Sequence, residues 1–228
     1  MDRKNFIKQS LTGIGTIVGI PTILARCKDE DNDITPIDEE STISGECELS
    51  PAETAGPFPI KTPAQLVREN IVSDRTGVAL LMSITVQDQS NGCAPLAGVY
   101  VDVWHCDKDG NYSQYNSYTN ASFLRGRQLT DENGVASFIS IFPGWYPGRA
   151  PHIHVEVLDS NMQSMRVSQI AFPVDTYTEV YNSTGYNGAP DTSNTRDGIF
   201  SNSLLGNMAD KITGNIEDGY TLEKVLVV

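Results

Sequence analysis

His152 and His154 stand one residue apart at the end of the segment 143–154, PGWYPGRAPHIH, which also carries Tyr146 and Arg149. The whole chain has only 3 histidines. Side chains alternate along a β-strand, so His152 and His154 project from one face with their imidazoles close together. That is half of a metal site. Zinc would need a further Cys, His or carboxylate, or a water; copper and iron accept other partners. The neighbours available here are tyrosines. Tyr146 lies six residues before His152, and Tyr112 follows the turn signal DKDGN at 107–111. A phenol is protonated at neutral pH, but a highly charged cation stabilises the phenolate. Hard anionic oxygens suit Fe(III) better than Fe(II) or Zn(II), so two histidines with two tyrosines point to non-haem ferric iron.

Strands and loops must position these residues. The spacing predicts a strand at 152–158, with Ile153, Val155 and Val157 on its core face and the histidines turned toward a cavity or solvent. Further strands are predicted at 79–86, 98–105, 135–141, 166–172 and 220–228. In the second of these, Val99, Val101 and Val103 share one face, and Tyr100, Asp102 and Trp104 the other. His105 is read as structural, and Asp102 and Asp107 as strand-end and turn solvation. Residues 113–124 read as a loop, 173–200 as a long irregular excursion, and 204–210 as a short helix. Residues 51–60 are too rich in Pro and Gly for a ladder, yet hold Phe58 and Ile60, so they are expected to lie across the domain surface. Short strands separated by turns predict an all-β fold, a two-sheet β-sandwich with long loops, spanning 51–228.

The total charge of −13 excludes nucleic acid as a partner, since no basic face offsets phosphate repulsion. Arg3, Lys4, Lys8 and Arg26 against Asp2 make residues 1–26 net +3, and the remainder −16. A basic start, an uncharged stretch from Gln9 to Ala25, and then Cys27 read as an export signal at 1–27. Leu24-Ala25-Arg26-Cys27 resembles a bacterial lipobox, although Arg26 stands where a small residue is usual. The expectation is therefore an exported protein in the periplasm, outer membrane or cell surface, with membrane attachment through a lipidated Cys27. Residues 28–50 read as an acidic tether. Cys47, Cys93 and Cys106 allow three pairings for one disulfide, or none, and the oligomeric state is left open.

Several blocks in order, VDVWHCDKDGNYSQY, RGRQLTDENG and PGWYPGRAPHIH, resemble the intradiol ring-cleavage dioxygenases over roughly residues 51–172. The resemblance implies that Tyr112, Tyr146, His152 and His154 hold Fe(3+). It implies that Arg149 stabilises charge on the substrate ring, and that Gln169 stands behind the site. One tyrosinate, Tyr146, would leave the metal and take a proton as the substrate binds. The implied reaction opens a small aromatic diol with O2 to a muconate-type diacid. Gly56-Pro57-Phe58-Pro59 departs from the family's tyrosine-bearing version of that element, so the resemblance does not carry over the substrate contacts on that side. The competing readings are a non-catalytic exported β-sandwich binding module and a metal hydrolase on the same fold. The full Tyr/Tyr/His/His set argues against a pure binder.

Overall fold

The structure, a computed structural model, describes residues 47–183 and 185–228. The expected export signal, with Cys27, and residues 28–46 of the expected tether lie outside the described residues. Among the described residues, no helix is long and apolar enough to cross a membrane.

Among the described residues, nine strands form two sheets. One contains β1 (Ala79–Asp88), β2 (Ala94–Pro95), β5 (Val135–Ile141), β8 (Lys211–Asn215) and β9 (Gly219–Val227), in the order β2-β1-β9-β8 with β5 also paired to β1. The other contains β3 (Tyr100–Trp104), β4 (Arg125–Leu129), β6 (His152–Leu158) and β7 (Ser164–Ala171), in the order β4-β3-β6-β7. The period-2 pattern explains how they stack. Leu80, Met82, Ile84 and Val86 of β1, Phe138 of β5 and Leu222 of β9 meet Val101, Val103, Ile153, Val155, Val157 and Ile170 in one buried core. Each such side chain contributes about 1.5–3 kcal/mol when fully buried. The sandwich architecture is the one expected.

The opposite face of the second sheet is also covered, here by loops. His152 and His154 are both buried, so the site sits between this sheet and its loop layer rather than in the sandwich interior.

Several expectations are corrected. The stretch 173–200 is not wholly irregular, because α1 spans Val174–Tyr181 and buries Tyr177, Val180 and Tyr181. Those positions have helical i, i+3, i+4 spacing, hidden in sequence by flanking Thr, Asn and Gly. The second helix, α2, is shorter than expected, Leu204–Asn207. β4 escaped prediction because RGRQL reads as polar, yet its arginines are buried. Asp102 is not solvated: both of its oxygens take the Arg127 guanidinium, at 2.5 and 2.7 Å. Asp107 is buried as well, capping its turn by accepting from Asp109 N and Asn111 N and pairing with Arg75. His105 is structural as read, with Nδ1–H donating to the Cys106 carbonyl at 2.8 Å and Nε2 accepting from Ser140 Oγ at 2.7 Å.

Of the expected tether, residues 47–50 are attached to the sandwich. Ser50 exchanges two hydrogen bonds with Val227. Cys47 bridges Cys93 with a Cα–Cα separation of 5.7 Å, leaving Cys106, among the described residues, as a buried free thiol. The bridge spans 46 residues. Chain-entropy reasoning therefore predicts that reduction costs about 3–4 kcal/mol. Urea midpoints measured with and without a thiol reductant check this, and an unmoved midpoint would count against it.

Candidate metal centre

Strand register assembles one wall of the site. Arg125 pairs with Trp104, Trp104 with His154, and His154 with Gln169, so one residue from each of β4, β3, β6 and β7 forms a continuous row. Directly opposed residues share a face. The next row, Gly126, Val103, Val155 and Ser168, faces the core side. The Trp104 indole lies parallel to the His154 ring, 4.9 Å between centroids, and fixes its plane.

The four sequence-derived donors converge above that row. His152 Nε2 and His154 Nε2 are 3.2 Å apart. Two ligands about 2.1 Å from one metal, at roughly a right angle, would be separated by about 3 Å. His152 Nδ1 lies 2.7 Å from the Ala150 carbonyl, which can only accept, so the proton sits on Nδ1 and the Nε2 lone pair is free. The Tyr146 ring stands 5.7 Å from that of His152, and the Tyr112 ring 5.7 Å from that of Tyr146. Tyr112 is buried, and its hydroxyl has no hydrogen-bond partner among the described residues. An orphaned phenol beside two facing imidazole nitrogens is an arrangement that a bound cation would satisfy. The set of two neutral nitrogens and two hard oxygens fits ferric iron. No group of three His, Cys, Asp or Glu meets among the described residues, so the tyrosines are what make the cluster a candidate.

Two turns bring the tyrosines together. Gly110 has φ of +86°, and a Cβ there would collide with the Trp145 carbonyl. The turn before Tyr112 can therefore press against the loop that carries Tyr146. That loop is pinned on both sides of Tyr146. Tyr186 and Tyr181 donate to the carbonyls of Phe142 and Pro143 at 2.9 and 3.0 Å. Trp145 Nε1 donates to Gly188 O, and Gly148 N to Asp191. The residues from α1 onward thus brace the loop, a role that composition alone did not reveal.

Arg149 is at the centre. Its Nε donates to Asp197 at 2.8 Å, one terminal nitrogen to Gln169 Oε1 at 2.5 Å, and the other lies 3.4 Å from both Tyr146 Oη and His152 Nε2. Gln169 donates onward to the Thr54 carbonyl at 3.0 Å. Burial pushes the Asp197 carboxyl up, but Arg149 and the N–H groups of Ala150 and Ile199 outweigh that and hold it below the usual range.

The remaining wall comes from residues 54–60. Gly56 has φ of +68°, and a Cβ there would sit 2.9 Å from His154 Cε1, so only glycine lets this segment close over the imidazole. Phe58 stacks on Tyr112 at 4.6 Å and meets Tyr146 edge-on at 6.1 Å. Arg125, fully buried, staples this wall in place by donating to the Phe58 carbonyl at 2.9 Å and to Ser113 O at 2.7 Å. Arg125 was not singled out from sequence, and Asp197 entered only at the edge of a weaker resemblance over 197–200, without a role. The register row identifies the first, and only the folded contacts identify the second. A separate polar cavity of about 320 Å³ lies nearby, lined by Lys61, Gln65, Gln114, Asn120 and Ser122, outside the donor cluster.

Burial lowers the pKa of His105 to about 4 and, with the Arg149 charge, that of His152 to about 3. Burial, then the neighbouring His152, puts His154 well below its ordinary value. All three are neutral at pH 7, as metal ligation requires of the latter two. Burial raises Tyr112 and Tyr146, so both carry their protons until a cation displaces them. The histidine shifts have a consequence for the metal-free protein. The unfolded chain takes up protons from about pH 6.5 downward, while the folded chain resists. The histidines' contribution to stability is thus fully present above about pH 6.5 and is lost as pH falls toward about 4 for His105 and about 3 for His152, by about 1.4 kcal/mol per pH unit for each such proton. Chelator-treated protein should show a lower urea midpoint at pH 5 than at pH 7; equal midpoints would contradict the shifts.

Known proteins resemble this chain in sequence and in fold. Residues 56–185, more than half of the chain, match a family profile described as dioxygenase. An intradiol ring-cleavage dioxygenase from Tetranychus urticae superposes with a TM-score of 0.72 at 32% identity, covering 79% of this chain and 94% of that one. Chlorocatechol 1,2-dioxygenase of Rhodococcus opacus is 28% identical over 127 residues, covering 47% of this chain and 48% of that protein. The protocatechuate 3,4-dioxygenase beta chain of Burkholderia cepacia is 29% identical over 119 residues, covering 47% and 51%. The chain spans about half the length of these curated relatives. With two-sheet fold, motif order and matched span in agreement, this chain belongs to the intradiol ring-cleavage dioxygenase family.

Proposed function

We propose that this protein uses non-haem Fe(III) and O2 to open the ring of a catechol-type diol between its two oxygen-bearing carbons, yielding a muconate-type diacid. The observation that carries this reading is the convergence of the His152 and His154 Nε2 atoms, 3.2 Å apart, with Tyr146 and a Tyr112 hydroxyl that has no partner among the described residues. Tyr112, Tyr146, His152 and His154 would hold the iron, which when bound supplies a Lewis-acid template for the diol oxygens and an electron acceptor that makes the ring reactive toward O2. The names of the curated relatives support the diol class.

The chain's own residues do the rest. The low basicity of both imidazoles keeps them available as donors. Tyr146 is half-buried where Tyr112 is buried, so Tyr146 is the side chain able to swing out and, as the phenolate that iron would stabilise, accept a diol proton at its oxygen. Since the loop is pinned at Trp145 and Gly148, that swing is a side-chain rotation over a fixed backbone. Arg149 directs one guanidinium nitrogen into the site, a fixed positive charge where negative charge develops on the opening ring. Phe58 covers Tyr112 and Tyr146, giving the ring an apolar wall.

The test is direct. Tyrosinate bound to Fe(III) absorbs visible light, so the purified protein should be reddish, contain iron, and consume O2 and catechol in equal amounts. A colourless, iron-free preparation that gains no activity with added iron would sink the proposal. We also propose that the protein works after export. The Cys47–Cys93 bridge supports an oxidising compartment, and fractionation of cells producing the full chain tests it.

A further inference from the structure

We propose that Asp197 is the positioning residue of this site, setting the aim of Arg149 and the orientation of His152 from a single carboxylate. The proposal rests on the dioxygenase reading and goes beyond its donors.

Asp197 is fully buried. Its Oδ2 accepts from Arg149 Nε at 2.8 Å and from the Ala150 backbone N–H at 2.8 Å. The first bond acts on the arginine. With Nε held by Asp197 and one terminal nitrogen by Gln169, the rigid guanidinium plane has one direction left. Its remaining nitrogen lies 3.4 Å from both Tyr146 Oη and His152 Nε2. The second bond acts on the histidine. It anchors the backbone at Ala150, whose carbonyl, in the next peptide unit, accepts the His152 Nδ1 proton at 2.7 Å and so selects the tautomer that bares Nε2. The other oxygen, Oδ1, accepts from Ile199 N at 2.9 Å and Phe200 N at 3.4 Å. Those bonds anchor the carboxylate and bring the Phe200 ring within 5.6 Å of the Arg149 guanidinium carbon and 6.3 Å of the His152 ring. Among the described residues, the Asp197 side chain hydrogen-bonds none of Tyr112, Tyr146, His152 and His154, so its geometric hold on the site runs through Arg149 and Ala150.

Asp197→Asn removes the charge at nearly constant volume, and Asp197→Ser removes the acceptor pair. A misplacement of about 1 Å in a catalytic group costs on the order of 100-fold. Each variant is therefore expected to lose about 100-fold in kcat on catechol, with KM moved less than threefold and iron content kept. In an Arg149→Gln background the same changes should cost no more than about tenfold, because the group being aimed is gone and only the part that acts through His152 remains. Equal losses in both backgrounds, or losses that track the folded fraction measured by circular dichroism, would overturn the proposal and leave Asp197 a structural cap. Should neither variant fold, the wild-type chain decides by itself. With diamagnetic gallium(III) in place of iron, the Arg149 Nε–H resonance should be downfield and slow to exchange. A freely averaging guanidinium overturns the proposal. Absence of colour, iron and turnover in the wild type would instead strike the dioxygenase reading, which keeps the two failures apart.

Discussion

His152→Ala is expected to strip iron and colour from the protein and to lower diol cleavage by about 1,000-fold or more. The substitution removes one of two imidazole donors and leaves the Ala150 carbonyl without its 2.7 Å partner. It also opens a hole in a site where His152 is only 3% exposed, so destabilisation would accompany the loss. Tyr112→Phe separates the two effects. It deletes one oxygen and keeps the ring that stacks on Phe58 at 4.6 Å. Because that hydroxyl has no partner among the described residues, its removal should stabilise the metal-free protein by about 1 kcal/mol, the scale of a buried unsatisfied polar group. The same variant should bind iron poorly and lose its colour. Iron by metal analysis, the visible spectrum and a urea melt of the chelated protein provide the three readouts. Full catechol cleavage by His152→Ala would refute the ligand assignment. A destabilised metal-free Tyr112→Phe would show that the hydroxyl has a structural duty.

Arg149→Lys is expected to lower kcat about 100-fold while leaving KM within a few-fold. A lysine keeps the charge, but a single ammonium cannot serve Asp197, Gln169 and the Tyr146/His152 pair, which three separate nitrogens of Arg149 now do. Loss of one preorganised electrostatic contact typically costs 100- to 1,000-fold in kcat. Because Asp197 is fully buried, retaining a cation nearby avoids the larger penalty of an unpaired buried carboxylate. Steady-state kinetics on catechol, with iron content measured in parallel, checks the split between kcat and KM. A change confined to KM would recast Arg149 as a binding group only, and unchanged kinetics would remove it from the site.

Much of this was legible in local pattern. The His-x-His pair lies on a strand because Ile153, Val155 and Val157 demand the opposite face, and the strand forms at 152–158 as the alternation requires. The tyrosines were legible because a turn rich in Asp and Gly precedes one and a Pro/Gly loop precedes the other. Elements whose burial depends on distant partners were not. β4 looks like a polar linker until Arg127 finds Asp102 and Arg125 finds the carbonyls of Phe58 and Ser113. Asp102 reads as solvated for the same reason. α1 carries its helical apolar spacing at Tyr177, Val180 and Tyr181, but a single turn of pattern is easily lost among Asn, Thr and Gly.

The chain by itself therefore determined the β-sandwich and pointed to four candidate donor residues and to the arginine that the structure places beside them. Residue type and a two-residue period are properties of a few neighbouring positions, and they bear directly on metal preference and strand face. Tertiary structure decided how those donors are held. It aligned Arg125, Trp104, His154 and Gln169 in one row through strand register. It closed Gly56 over His154, and it carried Asp197, 48 residues beyond Arg149, to a 2.8 Å bond with it. Such contacts depend on where two sheets and their loops come to rest. That is set by the burial of the whole core rather than by any local stretch of sequence.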